Sequence, residues 1–575
     1  MTHTVHYTVR FPRPHNHYAE VEALFPAAGQ DTIELFLPVW TPGSYLIREY
    51  ARHVEDVQSN GRVLEKTRKN RWRVETNGAP EVRVTYRVYC HEMSVRTNWV
   101  EDSFALLIGA ATFMTVVAST GFSYELQIEL PPAWKRSASG LTEIAPHRYS
   151  APDYDTLIDS PIYAGNPSVH RFEIDGIPHD LVTEGECDVW FASRAVSDLC
   201  RIVQRHRDMW GSPPYTKYVF LNMVTEGGGG LEHKNSVCMM TSRWSMGNRR
   251  SYLNWLSLAS HEFFHVWNVK RLRPVELGPF DYETENHTTS LWVAEGLTEY
   301  YGQLLVHRAG LSTREEYLAG CEGSTAHDGL SGVIRTLQTT PGRLVMPVGR
   351  SSYDAWIKLY RPDENSQNTS ISYYVKGAVI GWLLDARIRR ATDDAKSLDD
   401  LMRLAYARHS GERGFTPDEI KEAASEVAGT PLDDFFRHAV DSTEELDYSE
   451  ALDWFGLRFR QDPGEIKPWI GAHTKNESGR LTIDRIPRGT PAYESGLNAG
   501  DEIVAIGGFR VSAEHLARRL ESYRVGAEVS VLVARRERML EVPVKLGAEP
   551  TNSWRLELLP HPTAEQKRHL ERWLQ

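Results

Sequence analysis

The sequence predicts a multidomain α+β protein with a β-rich N-terminal domain, a mainly helical middle region and a second strand-rich module near the C-terminus. Three observations support this fold class. The chain has 575 residues, which is more than one hydrophobic core usually organises. Its 41% hydrophobic content is enough for several cores. The spacing of apolar residues changes from alternation to helical periodicity and back to alternation along the chain.

The N-terminal region carries the first set of predicted strands. Segments such as HYTVRF, TIELFLPVW and EVRVTYRVYC alternate apolar with polar residues and are separated by Pro, Gly and Asn. Alternation of this kind is typical of strands that bury one face. We therefore predict a β-rich domain over residues 1–175.

Helix signals dominate the next predicted domain, residues 176–448. Thr416 and Glu419 have the spacing of a capping box, with Pro417 at the first helical position. Gly310 lies where a C-cap glycine ends the preceding helix. Strand patterns return in GRLTIDRI, EVSVLVARR and MLEVPVKL, and these predict a compact module over residues 449–550. Residues 551–575 are predicted to form a C-terminal tail.

Bulk properties exclude several classes of protein. A net charge of −12 argues against nucleic-acid binding, which needs a basic surface. The sequence contains no run of about 18 apolar residues, so it predicts no membrane span. The N-terminus lacks the pattern of a secretory signal. The cysteines are odd in number and widely spaced, which favours reduced thiols over a disulfide framework (Cys90, Cys187, Cys200, Cys238 and Cys321). We predict a cytoplasmic protein.

The segment LSLASHEFFHVWNVKRL carries the sharpest chemical signal. On a helix, His261 and His265 lie about 40° apart on one face, one turn above the other. Two imidazoles placed in this way can bind one zinc ion. Glu262 follows the first histidine and is then placed as the general base for the attacking water. The alternative is a helix with two partly exposed histidines, and only a third ligand decides between them.

A second helix pattern, TTSLWVAEGLTEYYGQLLVHRAG, supplies that candidate ligand. Glu295 lies in it, and Glu299 lies one turn further on the same face. A carboxylate that completes two histidines leaves the fourth zinc position open, as in catalytic sites. Glu299 is then placed to accept the second ring N–H of a ligating histidine. A solvated helix face is the alternative, but apolar residues surround both glutamates, and a carboxylate buried there needs a partner.

A third unusual segment is the glycine run EGGGGLEHKNS, residues 226–236. Such a run is found in flexible linkers and in loops that bind phosphate. No GK[ST] follows it, so a nucleotide-binding loop is disfavoured.

The C-terminal module resembles a PDZ domain, chiefly through GTPAYESGLNAGDEIVAIGG. The resemblance places Ile470, Gly471 and Ala472 in the loop whose backbone N–H groups bind a peptide C-terminus. A peptide or protein C-terminus is therefore one expected partner. Packing of the module against the rest of the chain is the alternative, since a fold does not establish a function.

HEFFH followed by a helix containing Glu-Gly resembles the gluzincin metallopeptidases. Within that group, HVWNVKRLRP, LWVAEGLTEYY and PVWTPGSYLIREYA resemble the PDZ-bearing glycyl aminopeptidase family, and the resemblance covers nearly the whole chain. It implies a thermolysin-like catalytic domain and one zinc ion per chain, bound by His261, His265 and Glu295. It also implies that Glu262 activates water and that the enzyme removes N-terminal residues, preferring small ones such as Gly or Ala.

Two further assignments come from the same resemblance. Tyr374, which is separated from the pair Lys376-Gly377 by Val375, is expected to donate to the oxyanion that forms on the scissile carbonyl. Tyr373 is the competing candidate, since a strand or a helix would turn the two side chains in different directions.

Glu232 is expected to bind the free α-amine of the substrate. The backbone of Gly228, Gly229 and Gly230 is expected to pair with the peptide. Related aminopeptidases carry Asn where this chain has His233. This departure matches the glycyl aminopeptidase subgroup, and the role of His233 stays open between structural support and direct substrate contact.

Two competing functions follow from the same residues. The first is a zinc endopeptidase that uses this site without reading a free amine. The second is a PDZ-centred binding protein whose metal site is vestigial.

Overall fold

The computed structural model describes residues 3–117, 119, 121–321, 329–460, 466–550 and 554–575. The chain forms two compact units. Unit 1 comprises Met1–Thr288, Tyr301–Thr313 and Met402–Ile420. Unit 2 comprises Thr289–Tyr300, Arg314–Leu401 and Lys421–Gln575.

Unit 1 begins with a β-rich domain, as the sequence predicts. Its elements are β1 (Thr4–Arg10), β2 (Tyr18–Pro26), β3 (Thr32–Phe36), β4 (Val54–Gln58), β5 (Leu64–Arg68), β6 (Arg71–Glu75), β7 (Glu81–Tyr89), β8 (Trp99–Val100), β9 (Ala105–Leu107), α1 (Gly109–Thr112), β10 (Thr115–Val116), β11 (Ser123–Glu129), β12 (Arg136–Ser139), β13 (Thr142–Ala145), β14 (Arg148–Ala151), α2 (Tyr154–Ile158) and β15 (Ile162–Gly165).

Three sheets organise these strands within the described residues. Their orders are β13-β14-β11-β1-β2-β7-β4, β10-β3-β6-β5 and β12-β15-β9-β8. In β1, Val5, Tyr7 and Val9 are buried, which matches the alternation of the sequence. Strand β1 pairs in parallel with β11, with Thr4 opposite Ser123. A core of aromatic and aliphatic residues therefore lies between strands that are far apart in the chain.

A mixed sheet carries the glycine run. Its elements, with the two helices beside it, are β16 (Ser168–Ile174), β17 (Ile177–Glu184), α3 (Ala192–Trp210), β18 (Tyr218–Thr225), β19 (Gly229–Glu232), β20 (Ser236–Ser242) and α4 (Arg249–Phe264). The strand order is β16-β17-β18-β20-β19, so β19 is an edge strand of the described sheet. It pairs only with β20 there, antiparallel, and its outer backbone groups are placed to pair with another strand.

This sheet begins earlier than the predicted boundary at residue 175. Strand β16 pairs antiparallel with β17, with Val169 opposite Val182. Its partner therefore belongs to the central sheet, although the sequence pattern of β16 does not differ from that of the strands before it.

Ten more helices follow among the described residues, and the first continues from a π-helical turn at Trp292–Gly296. They are α5 (Leu297–Arg308), α6 (Arg314–Ala319), α7 (Gly329–Thr339), α8 (Val348–Tyr353), α9 (Ser366–Thr369), α10 (Tyr373–Ala391), α11 (Leu398–His409), α12 (Pro417–Ala428), α13 (Asp433–Ala439) and α14 (Ser449–Phe455). The predicted capping box of α12 is confirmed, because the backbone N–H of Thr416 donates to Glu419 at 2.9 Å. Gly310 has the left-handed φ of 68° that suits a helix end.

The last elements of unit 2 form the C-terminal module and a return to the helices. They are β21 (Leu457–Phe459), β22 (Pro468–Trp469), β23 (His473–Glu477), β24 (Arg480–Arg485), α15 (Pro491–Ser495), β25 (Glu502–Ile506), β26 (Phe509–Arg510), α16 (Leu516–Glu521), β27 (Glu528–Arg535), β28 (Arg538–Lys545), β29 (Gly547–Ala548), β30 (Leu556–Leu558) and α17 (Ala564–Leu574). The sheet order β23-β24-β25-β27-β28 encloses a separate core that includes Ile483, Ile503 and Val531.

The described part of the predicted tail, residues 554–575, is an ordered extension of the helical region. Strand β30 pairs antiparallel with β21, with Leu457 opposite Leu558. Helix α17 begins at a capping box formed by Thr563 and Gln566. Its Trp573 is fully buried and donates from Nε1 to the Tyr300 hydroxyl at 2.7 Å. The apolar face of this amphipathic helix explains why it packs rather than extends into solvent.

Asn368 of α9 forms hydrogen bonds that connect the C-terminal module to the helical part of unit 2. Its Nδ2 donates to the carbonyl of Ile486 at 2.9 Å, and its Oδ1 accepts from the backbone N–H of Arg488 at 2.7 Å. The side chain is buried, so both hydrogen bonds are shielded from water.

Two further features concern the helices and the cysteines. Among the described helices, none combines the length and the apolar composition that a membrane crossing requires. No disulfide bond joins any two of the five cysteines, all of which lie in the described part of the chain.

Candidate active site

Helix α4 brings His261 and His265 together, as the HEFFH spacing predicts. Asn248 caps its N-terminus by accepting from the N–H of Ser251. Both histidines are buried, and their Nε2 atoms lie 3.2 Å apart. Two nitrogens bound to one tetrahedral zinc at about 2.0–2.1 Å are separated by about 3.3–3.4 Å. The histidine pair therefore already has the spacing of two ligands of one ion.

The second ring nitrogen of His265 determines which nitrogen is available to a metal. His265 Nδ1 lies 2.7 Å from the carbonyl oxygen of Asn268. A carbonyl only accepts, so Nδ1 carries the proton and Nε2 presents its lone pair. Metal-binding histidines commonly have such a partner. Asn268 is a partner that the sequence did not predict for this role.

Glu262, between the two histidines, lies against the glycine strand β19. It is buried, with 5% of its surface exposed. A Cβ atom built on Gly230 would lie 2.2 Å from Glu262 Oε1, which is far inside van der Waals contact. The glycine at position 230 thus leaves room for the carboxylate of Glu262.

Glu232, at the end of the same strand, lies close to Glu262 and His265. One ligand atom from each of Glu232, Glu262 and His265 lies within 4.8 Å of the others. Glu232 is buried, and its Oε1 has no hydrogen-bond partner among the described residues. Such an oxygen is costly unless a further donor binds it.

The turn Trp40–Tyr45 of the N-terminal domain covers Glu232 from the other side. Gly43 has a φ of 85°, and a Cβ atom there would lie 2.5 Å from Glu232 Oε1. The motif PVWTPGSYLIREYA, which the sequence linked only to a family, therefore contributes a wall of the site. Glu232 and Gly43 also line a cavity of about 340 Å³, together with Tyr45, Asp159, Lys270 and Tyr282.

Three charged or polar side chains form a buried cluster beside Glu232. Lys270 Nζ lies 2.8 Å from Asp159 Oδ1 and 3.8 Å from Glu232 Oε1. His233 Nδ1 lies 3.3 Å from the same Asp159 oxygen. Burial raises the pKa of Asp159, but Lys270 and His233 together outweigh it and hold this pKa below its ordinary value. The carboxylate therefore stays ionised.

This cluster changes the interpretation of His233, whose role was open. Its side chain is buried, and the hydrogen-bonding partner of its Nδ1 is Asp159. Asp159 and Lys270 were missed by the sequence analysis. Lys270 stood in the quoted motif HVWNVKRLRP, whereas Asp159 directly follows the short helix α2, in a segment that gives no local signal.

Unit 2 places Glu295 beside Tyr374. Glu295 lies in the π-helical turn, and 2% of its surface is exposed. Helix α10 crosses this turn closely, since a Cβ atom on Gly296 would lie 2.5 Å from Gly377 Cα. Burial and then the Glu295 carboxylate raise the pKa of Tyr374. Its ring stacks on that of Tyr373 at 4.8 Å between centroids.

Glu299 lies in the first turn of α5 and is partly buried. Further along α5, the part of this helix that belongs to unit 1 contacts α4. A Cβ atom on Gly302 would lie 3.1 Å from His261 Cβ, and Tyr301 stacks on Phe264 at 4.7 Å between centroids. Helix α5 therefore packs against α4 at His261.

Comparisons with known families agree with this fold. Residues 6–166 match the Peptidase M61 N-terminal domain, residues 254–380 match the M61 glycyl aminopeptidase domain and residues 468–546 match a PDZ domain. The chain is a peptidase, an enzyme that hydrolyses peptide bonds. It belongs to the M61 glycyl aminopeptidase family and carries a C-terminal PDZ domain, which confirms the family and the multidomain fold class predicted from the sequence.

Solved structures include a full-length relative. A crystal structure described as an aminopeptidase N family protein from Idiomarina loihiensis is 29% identical, covers 99% of this chain and 100% of its own, and has a TM-score of 0.91. An M1 zinc metallopeptidase from Deinococcus radiodurans is 12% identical, covers 78% of this chain and 95% of its own, and has a TM-score of 0.49. A search among curated protein sequences found no significant match.

Proposed function

We propose that this peptidase is a zinc-dependent aminopeptidase that releases the first residue of peptides and prefers small residues such as Gly or Ala. One zinc ion per chain is held by His261, His265 and Glu295. The 3.2 Å separation of the two histidine Nε2 atoms supports this ligand set. On this proposal Glu295 binds the zinc, and Glu299 accepts the remaining ring N–H of a histidine ligand and fixes its orientation.

One observation carries the aminopeptidase assignment: the short distance between Glu232 and the catalytic residues. Ligand atoms of Glu232, Glu262 and His265 lie within 4.8 Å of one another. In a peptide, the α-nitrogen and the carbonyl carbon of the same residue are about 2.5 Å apart, and each further residue adds about 3.3–3.6 Å. An amine bound by Glu232 thus leaves room for a single residue before the bond at Glu262.

Each protein group then has one task. Glu232 binds the α-ammonium by a charge-assisted hydrogen bond, and the edge strand with Gly228, Gly229 and Gly230 pairs with the peptide backbone. Bound zinc supplies Lewis acidity that polarises the scissile carbonyl. Glu262 takes the proton of the attacking water and passes it to the leaving amine. Tyr374 donates to the oxyanion, an interaction worth about 3 kcal/mol in comparable enzymes.

The PDZ domain supplies the second proposed partner site. Gly471 has a left-handed φ of 84°, and a Cβ atom there would lie 2.7 Å from both Pro491 Cδ and Thr490 Cβ. The loop Ile470–Ala472 thus keeps a backbone conformation that a side chain at 471 would disturb. Its N–H groups are proposed to bind the C-terminus of a peptide or protein. A cytoplasmic location is part of the proposal, because widely spaced cysteines in odd number favour reduced thiols.

A panel of aminoacyl reporter amides, assayed with and without a chelator, tests the proposal. We expect hydrolysis that needs metal, favours glycyl and alanyl substrates and disappears when the amine is acetylated. Equal cleavage of acetylated or internal peptide bonds would instead indicate an endopeptidase. Purified protein with neither stoichiometric zinc nor hydrolysis would indicate a binding protein with a vestigial site.

A further inference from the structure

The carboxylate proposed to bind the substrate's ammonium has a lysine beside it. Lys270 Nζ lies 3.8 Å from Glu232 Oε1, and both side chains are buried. A buried ammonium so close to a carboxylate competes with any other cation for it. An aminopeptidase with this arrangement must therefore keep its own lysine from occupying the site where the substrate's amine binds.

Asp159 is the group that opposes this competition. Lys270 Nζ lies 2.8 Å from Asp159 Oδ1, which is hydrogen-bonding distance, whereas its distance to Glu232 is longer than a hydrogen bond. Asp159 is itself held in place by the backbone N–H of Lys234, which donates to Oδ2 at 2.8 Å, and by His233. Its position is therefore fixed independently of Lys270.

The formal charges of the three side chains lead to the same conclusion. Asp159 and Lys270 cancel, which leaves one negative charge on Glu232 for an incoming cation. If Asp159 were neutral, Lys270 and Glu232 would cancel instead, and the ammonium of a peptide would enter a site with no net charge. At short range, the attraction between an ammonium and a carboxylate is stronger in the protein interior than in water.

We propose that Asp159 is a positioning residue that holds Lys270 away from Glu232 and so reserves Glu232 for the α-ammonium of the substrate. This inference rests on the proposed aminopeptidase function. It assigns His233 a supporting role, since the Nδ1 of His233 contacts the Asp159 carboxylate. Lys270 in turn limits the cost of burying two carboxylates close together when no peptide is bound.

Steady-state kinetics of four forms of the full chain on alanyl and glycyl reporter amides tests this: wild type, Asp159→Asn, Lys270→Gln and the double variant. For Asp159→Asn we expect KM to rise about tenfold or more while kcat changes less than about threefold, because an amine-binding interaction is lost. In the double variant the competing charge is gone, and we expect KM to return to within about threefold of wild type.

The double variant separates positioning from general damage. If Asp159 were only structural, removing Lys270 as well would add a second defect, and a KM as high as in Asp159→Asn would overturn the proposal. An unchanged KM in Asp159→Asn would overturn it too. Circular dichroism and thermal melting check the fold. If Asp159→Asn does not fold, Asp159→Ser removes the same charge and is compared with Asp159→Ser/Lys270→Gln in the same way.

Failure of the underlying function would look different. Wild-type enzyme that cleaves acetylated and free-amine substrates equally would refute the role of Glu232 itself. Wild-type enzyme that discriminates strongly, but whose KM is insensitive to Asp159, would leave the aminopeptidase assignment in place and refute only the role of Asp159.

Discussion

Replacing Gly230 by alanine tests how closely the glycine strand and the proposed general base are fitted. The new Cβ would lie 2.2 Å from Glu262 Oε1 and 2.5 Å from its Cδ. Ordinary contact of a Cβ atom begins near 3.4 Å, so the carboxylate has to move by about 1 Å, and a displacement of this size can cost about 100-fold in rate. That loss equals about 3 kcal/mol of transition-state stabilisation.

Gly227→Ala is the matched control on the same glycine run. A Cβ atom at position 227 has Thr225 Oγ1 at 3.4 Å as its nearest neighbour, which is ordinary contact. We expect Gly230→Ala to lower kcat on an alanyl reporter amide about 100-fold and Gly227→Ala to stay near wild type. Zinc content and the melting temperature of both variants are measured in parallel, because the displacement affects the base and not the two histidines.

Activity of Gly230→Ala equal to that of Gly227→Ala would refute the reasoning, since it would mean that Glu262 does not need its observed position. Loss of zinc or a large fall in melting temperature specific to Gly230→Ala would also refute it, because the defect would then come from the metal site or the fold.

Three further predictions concern chemistry, pH and the PDZ domain. Glu262→Gln should retain zinc by elemental analysis and lose about 10²–10⁴-fold in kcat, and near wild-type turnover would contradict its role as base. His179 forms hydrogen bonds with the Ile177 carbonyl and the Tyr215 hydroxyl, and burial lowers its pKa from 6.5 to about 4. Because the unfolded chain binds this proton first, the contribution of His179 to stability is complete above pH 6.5. As the pH falls toward 4, about 3 kcal/mol of the free energy of unfolding is lost. In urea unfolding over the same pH range, the stability of His179→Gln should therefore fall less than that of the wild type. Asn368→Ala removes the hydrogen bonds to Ile486 and Arg488, so the amide of Arg488 should exchange with deuterium faster by the equivalent of about 1–3 kcal/mol. Unchanged exchange would show that other contacts hold the domain.

The sequence predicts those parts of the site whose residues are close together in the chain. His261, Glu262 and His265 share one turn of a helix, so the helical repeat alone brings the two histidines onto one face. The family resemblance, with its PDZ domain, was confirmed by the family matches. Glu295, Glu299 and Tyr374 stay predictions in their catalytic roles, although the structure buries the first and places Tyr374 beside it.

Long-range contacts account for what the sequence did not predict. Asp159 and Lys270 are 111 residues apart, and no pattern near either residue indicates that they form a pair. Gly43 lies on a turn of the β-rich domain and reaches Glu232 only through the tertiary fold. The pairing of β30 with β21 was not predicted for a related reason, because the two strands lie on either side of the whole PDZ domain in the chain.

The pairing of β21 with β30 has a consequence for how this peptidase is assembled from parts. The chain leaves the helical region at Phe459 and re-enters it at Leu556, and these two residues are direct partners in the strand pair. The segment between them is therefore an insertion whose two ends are adjacent in the structure. A short linker that joins Phe459 to Leu556 should yield a peptidase without the PDZ domain. A different recognition module inserted at the same point would leave the helical region intact. Exchange of this module during evolution would change the proposed partner of the enzyme and leave its catalytic residues unchanged.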